Sequence, residues 1–127
     1  MAPGGARVLV ADDDASVRTL LELALHRQGH EVVSAGDAAA ALLIASDRSE
    51  PIDLLVTDYT MPGRSGLQLA ADIRAIRPEI AVVLMSGWQL DRPVSGVPGP
   101  EIEVLEKPFD LTGLARVVER ALRPRRG

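Results

Sequence analysis

The chain has no cysteine. That excludes disulfide scaffolds, thiolate metal sites and cysteine nucleophiles. Histidine is scarce: only His26 and His30 occur, four residues apart, and no histidine-rich metal site fits them. Lysine is scarcer still. Of the 14 basic residues, 13 are arginine and one is lysine, Lys107. Positive charge is not in excess, because 18 acidic residues bring the net charge to −4. That balance argues against a general DNA or RNA binder. No apolar run approaches the ~20 residues needed to span a bilayer. The opening Met1-Ala2-Pro3-Gly4-Gly5 lacks the apolar stretch of a signal peptide. These absences predict a soluble, cytoplasmic protein with no membrane or direct nucleic-acid contact. The 127 residues predict a single domain, 1–127, with its core over about 6–123. A fold of this size buries roughly 65–70% of the surface its unfolded chain exposes.

What is present alternates between two patterns. Short continuous apolar runs, Val8-Leu9-Val10-Ala11, Leu54-Leu55-Val56 and Ala81-Val82-Val83-Leu84-Met85, read as strands buried on both faces. Val32-Val33 and Val104-Leu105 are weaker strand candidates. Between them lie helical stripes. Val17, Leu20, Leu21, Ala24 and Leu25 form one, stopped by Gly29. An alanine-rich stretch runs from Asp37 to about Asp47. Leu69, Ile73 and Ile76 form another stripe, ending before Pro78. Leu111, Leu114, Ala115, Val118 and Leu122 form the last, with Asp110 placed to cap it. Strand–helix alternation predicts an α/β fold, doubly wound around a five-stranded parallel sheet. Residues 87–101 break the pattern. Three prolines and three glycines in fifteen residues oppose a helix there, so a loop is expected, with at most one turn near Trp88–Asp91.

The chemistry sits where strands end. Strand 1 runs into Asp12-Asp13-Asp14, strand 3 ends at Asp58, strand 4 at Ser86-Gly87, and strand 5 is followed by Glu106-Lys107-Pro108-Phe109. Open α/β sheets bind ligands beyond the carboxyl ends of their strands, at the topological switch point. With strand order 2-1-3-4-5, Asp12, Asp13 and Asp58 would converge, with Ser86 and Lys107 at the rim. Two such charges ~5 Å apart at an effective dielectric of ~20 repel by about 3 kcal/mol. That repulsion calls for a cation or a raised pKa. Oxygen-only ligands suit Mg²⁺, with Mn²⁺ as a substitute. A lone lysine opposite them suits an anion that also meets the metal, such as a phosphoryl group. A carboxylate can itself become an aspartyl phosphate.

These blocks resemble a known family. Val8–Asp14, Asp58-Tyr59-Thr60-Met61-Pro62-Gly63 with Ser65-Gly66-Leu67, Leu84-Met85-Ser86-Gly87 and Lys107-Pro108-Phe109 are similar to the receiver domain of two-component response regulators. The resemblance covers about residues 6–123 and implies a flavodoxin-like sheet of order 2-1-3-4-5. It implies that Asp58 is the phosphoacceptor, taking its phosphoryl group from a histidine kinase or a histidine phosphotransfer protein. It implies Mg²⁺ ligands at Asp12, Asp13, Asp58 and the backbone carbonyl of Thr60. Ser86 and Lys107 would bind phosphoryl oxygens, and the Lys107–Pro108 peptide would be cis. Tyr59, Thr60 and Trp88 would tune dephosphorylation. Ala15, Arg18 and the loop at Pro108 would face the kinase. A further protein would receive the output, and a monomer or weak dimer is expected.

Two positions depart from the family pattern. Val104 stands where an aromatic ring usually swings on activation. The 87–101 segment stands where the family places a helix, so that helix is expected to be shortened or replaced by a loop. Both departures fall on output rather than on phosphoryl chemistry. Ordering of that loop over the phosphate is a possible substitute switch. Other residues have plainer readings. Asp14 reads as a helix cap, Asp53 as structural, Phe109 as core packing, His26 and His30 as surface residues at a helix end, and the basic tail as solubilising. The protein reads as a switch that catalyses only its own phosphorylation and dephosphorylation. An aspartate-nucleophile phosphatase is the alternative, but it wants a second acid two residues after the nucleophile, where Thr60 stands. A flavodoxin-like nucleotide binder would want a Ser/Thr/Gly-rich phosphate loop in place of the three aspartates.

Overall fold

The computed structural model describes residues 5–87 and 96–123. Five strands and four helices follow in order: β1 (Arg7–Ala11), α1 (Ala15–Arg27), β2 (Glu31–Ala35), α2 (Ala38–Ser46), β3 (Leu54–Asp58), α3 (Gly66–Ile76), β4 (Ala81–Ser86), β5 (Glu103–Glu106) and α4 (Leu111–Leu122). The strands form one sheet, ordered β2-β1-β3-β4-β5, and every pairing is parallel. All strand carboxyl ends therefore lie on one edge.

The apolar runs divide by alternation, because successive strand side chains point to opposite faces. Leu9, Ala11, Leu55, Val82 and Leu84 face α2 and α3, where Ala41, Ala45, Leu69 and Ile73 meet them. Val8, Val10, Leu54, Val56, Val83 and Met85 face α1 and α4, where Leu21, Leu25, Leu114 and Val118 meet them. Phe109 packs against this second cluster. Asp14, Asp37 and Asp110 cap α1, α2 and α4 with their carboxylates, and Ser65 forms a capping box with Gln68 on α3. Gly29, at φ +93°, ends α1 in a conformation that glycine adopts without strain. Asp53 is structural: its carboxylate accepts the Arg7 N–H at 2.9 Å.

Three expectations need correction. Leu20 is 50% exposed rather than buried. At about 100° per residue it lies beyond the arc that Leu21, Ala24 and Leu25 present to the sheet. Leu111, the first residue of α4, is also half exposed, and Val117 fills the core face instead. His30 is not a surface residue. It is buried, and its Nδ1 accepts the Ala6 N–H at 3.0 Å.

Among the described residues no helix stands between β4 and β5; Gly87 and residues 96–102 are irregular. The expected turn at Trp88–Asp91 lies outside the described residues, as do Pro93 and most of the basic tail. No helix among the described residues is long and apolar enough to cross a membrane.

Candidate functional site

The switch point of the sheet lies between β1 and β3, which pair Ala11 with Thr57. β1 ends one residue before Asp12, and Asp58 is the last residue of β3. The parallel register therefore brings the two acidic blocks together. One carboxylate oxygen from each of Asp12, Asp13 and Asp58 lies within 4.8 Å of the others. Asp12 is buried, Asp58 half-buried and Asp13 exposed. Lys107 reaches in from the end of β5, with Nζ 3.2 Å from Oδ2 of Asp58. Ser86 closes β4, is 1% exposed, and accepts the Lys107 N–H at its carbonyl at 2.7 Å. The Lys107–Pro108 peptide is cis.

Asp12 is the most constrained of these groups. Its Oδ1 accepts the Asp14 N–H at 2.9 Å, while its Oδ2 is buried with no hydrogen-bond partner. Burial pushes its carboxyl above the usual carboxylate range. The charges of Asp58 and Asp13 push the same way, against the Asp14 N–H and Lys107. A buried acceptor without a partner is destabilising by about 1–3 kcal/mol. An oxygen-only cluster with one unsatisfied buried oxygen fits a hard divalent cation such as Mg²⁺. The donors that converge there are the carboxylates of Asp12, Asp13 and Asp58.

Tyr59 packs against the α2/α3 face of the core, and its N–H donates to the Met85 carbonyl at 2.8 Å. Thr60 is exposed, and its N–H lies 3.4 Å from Oδ1 of Asp58. Val104 is buried at 6% exposure, within β5. Trp88 lies outside the described residues.

Two residues shape the site with roles that the sequence did not disclose. Gly66, one residue of the Ser65-Gly66-Leu67 block, starts α3 against the backbone of Asp58. A Cβ on Gly66 would lie 2.1 Å from the Asp58 carbonyl oxygen. Arg18 turns its guanidinium back onto the Asp12 carbonyl at 2.7 Å. Nothing in a linear sequence marks that contact, since it depends on how α1 leaves β1.

Comparison with known proteins places the fold in a family. The chain is 43% identical over 118 residues to the DNA-binding transcriptional regulator NtrC of Azospirillum brasilense, covering 92% of this chain and 24% of that protein. It thus spans about a quarter of the length of that relative. It is 33% identical over 118 residues to the response regulator receiver protein CpdR of Brucella abortus, covering 91% of this chain and 96% of that one. The solved structure of the response regulator TrrA from Thermotoga maritima, in complex with Mg²⁺-BeF, superposes with a TM-score of 0.76 at 28% identity, covering 92% of this chain and 99% of that one. The model of the response regulator receiver domain matches residues 8–119. A match over that span, on a sheet of this strand order, makes the chain a member of the response regulator receiver domain family of two-component signal transduction.

Proposed function

We propose that Asp58 accepts a phosphoryl group from a phosphohistidine in a Mg²⁺-dependent reaction, and that the protein acts as a phosphorylation switch or relay. The observation that carries this reading is the convergence of Asp12, Asp13 and Asp58 on one point, with Lys107 Nζ 3.2 Å from Asp58 Oδ2. An Asp58 carboxylate oxygen attacks phosphorus as the N–P bond of the phosphohistidine breaks. The imidazole leaves and takes up a proton, and an acyl phosphate forms on Asp58. Bound Mg²⁺, held by Asp12, Asp13, Asp58 and the Thr60 carbonyl, would neutralise charge on the phosphoryl oxygens. Lys107 carries a compact ammonium on a flexible stem, suited to follow an oxygen of the new phosphoryl group. The Ser86 hydroxyl, at the end of β4, donates to another. Such transfer needs mainly positioning and charge neutralisation, and these residues supply both.

Thr60, exposed beside Asp58, borders the approach of a hydrolytic water, and with Tyr59 and Trp88 it tunes the lifetime of the phosphorylated state. Val104 carries no ring, so activation is read out by another device. The donor is a histidine kinase or a histidine phosphotransfer protein, and a further protein receives the output. The reading of Asp58 is tested by incubation with acetyl phosphate and Mg²⁺. A mass increase of about 80 Da, one phosphoryl group, is expected for the wild type and is absent in Asp58→Asn. No modification of the wild type, or undiminished modification of the variant, overturns it.

A further inference from the structure

The backbone of Asp12 is tied on both sides. Its N–H donates to the Ala35 carbonyl at the end of β2, at 3.2 Å. Its own carbonyl accepts Nη1 of Arg18, the fourth residue of α1, at 2.7 Å. That distance is short, as expected for a charge-assisted bond. The guanidinium fills a space that glycine leaves open: a Cβ on Gly36 would stand 3.3 Å from Nη1 and 3.6 Å from Cζ. Arg18 thus bonds the β1–α1 turn while its guanidinium lies beside Gly36 in the β2–α2 turn, next to the residue whose Oδ2 is buried without a partner.

We infer that Arg18 is a positioning residue for the cation site, clamping the Asp12 peptide so that its carboxylate faces the pocket, and that Gly36 is the clearance this clamp requires. The inference rests on the Mg²⁺-dependent reading given above. Three neighbours fix the orientation of Asp12: the Ala35 carbonyl, the Asp14 N–H on Oδ1, and Arg18. Only Arg18 is a side chain, so only this restraint can be removed without altering the backbone. With it gone, the turn that carries Asp12 and Asp13 loses one of its three restraints and keeps only the Ala35 and Asp14 bonds. Groups that orient metal ligands typically change metal affinity 10–100-fold when removed.

The test titrates Mg²⁺ into the whole protein by calorimetry, alongside thermal melting in EDTA, for the wild type, Arg18→Ala, Arg18→Lys, Gly36→Ala and the Arg18→Ala/Gly36→Ala pair. Arg18→Ala is expected to weaken Mg²⁺ binding about 10-fold. Gly36→Ala weakens it less, because its methyl only nudges Nη1. The pair matches Arg18→Ala alone, because the methyl then has nothing to displace. Arg18→Lys recovers part of the loss. Unchanged Mg²⁺ affinity in Arg18→Ala with a lowered melting point would assign Arg18 a purely structural role and overturn the inference. Additive effects of the two substitutions overturn it as well. Should Arg18→Ala not fold, Gly36→Ala and Arg18→Lys still report, and wild-type affinity in both overturns the inference. Failure of the wild type to bind Mg²⁺ is a separate result, and it overturns the reading of the pocket itself.

Discussion

Gly66→Ala tests how the fold places the candidate phosphoacceptor. The N–H of Gly66 donates to the Tyr59 carbonyl at 2.7 Å, which presses the start of α3 against the end of β3. A Cβ at position 66 would lie 2.1 Å from the Asp58 oxygen, 2.9 Å from its carbonyl carbon and 3.1 Å from Thr57 Oγ1. The first two are backbone atoms, so no side chain can swing away to make room. The start of α3 is held by the Ser65–Gln68 capping box, so most of the strain falls on β3, and relieving a 2.1 Å contact to at least 3.0 Å displaces Asp58 on the order of 1 Å. Overpacking of this kind destabilises by about 1–3 kcal/mol, and a backbone clash belongs at the upper end. With an unfolding entropy of about 2.1 cal/mol/K per residue over 127 residues, ~3 kcal/mol lowers the melting midpoint by about 10 °C. Misplacing a reacting group by about 1 Å slows transfer on the order of 100-fold. Melting by circular dichroism and a time course with acetyl phosphate and Mg²⁺ read the two effects. A folded Gly66→Ala variant that is phosphorylated within about twofold of the wild-type rate would refute the idea that this close approach positions Asp58.

Two further outcomes follow from titrating groups. Burial holds the His30 imidazole below its ordinary value of 6.5, and Nδ1 must stay unprotonated to accept the Ala6 N–H. The unfolded chain then binds more protons than the folded one below about pH 6.5, so His30 lowers stability progressively as the pH falls from there through its folded value. His30→Gln should flatten urea-measured stability across that window, and a slope identical to wild type refutes the assignment. Asp12 is displaced the other way: burial raises its carboxyl, so in the absence of metal its ionised form destabilises the fold at neutral pH. Asp12→Asn should therefore melt higher than wild type in EDTA yet lose stabilisation by Mg²⁺. For the wild type that stabilisation is about 2.7 kcal/mol at 100 times the dissociation constant. A variant that melts lower in EDTA, or keeps its Mg²⁺ response, contradicts this account.

The architecture was legible because parallel strands buried on both faces leave continuous apolar runs, and each run here ends abruptly at a polar or charged block. A parallel sheet must then collect those blocks on one edge. That principle, together with the family resemblance, singles out Asp12, Asp13, Asp58, Ser86 and Lys107 as candidates, and all five stand at that edge. What stayed hidden depends on how elements rotate and meet. Leu20 and Leu111 satisfy a helical stripe on paper, but the sheet covers a narrower arc than the stripe. His30 is buried through a bond to Ala6, 24 residues away in sequence. The clearances at Gly36 and Gly66 exist only once two loops or two elements are brought together.

The contrast between thirteen arginines and one lysine shows where sequence stops and tertiary structure begins. The sequence by itself determined that Lys107 stands alone, directly before a proline, after the last strand. It also determined the alternation that builds the sheet and the acidic residues at its carboxyl edge. Only the tertiary structure decided what several of the arginines do. Arg18 binds the carbonyl of Asp12, Arg48 that of Ile76, Arg74 that of Ile80, and Arg77 those of Ala45, Asp47 and Glu50. A planar fork of donors can bridge several carbonyls at once, which a single ammonium does less well. Those carbonyls come together only after the chain has folded, so no local pattern announces them. Lys107 differs because its partner, Asp58, belongs to the same edge of the sheet that the strand ends define.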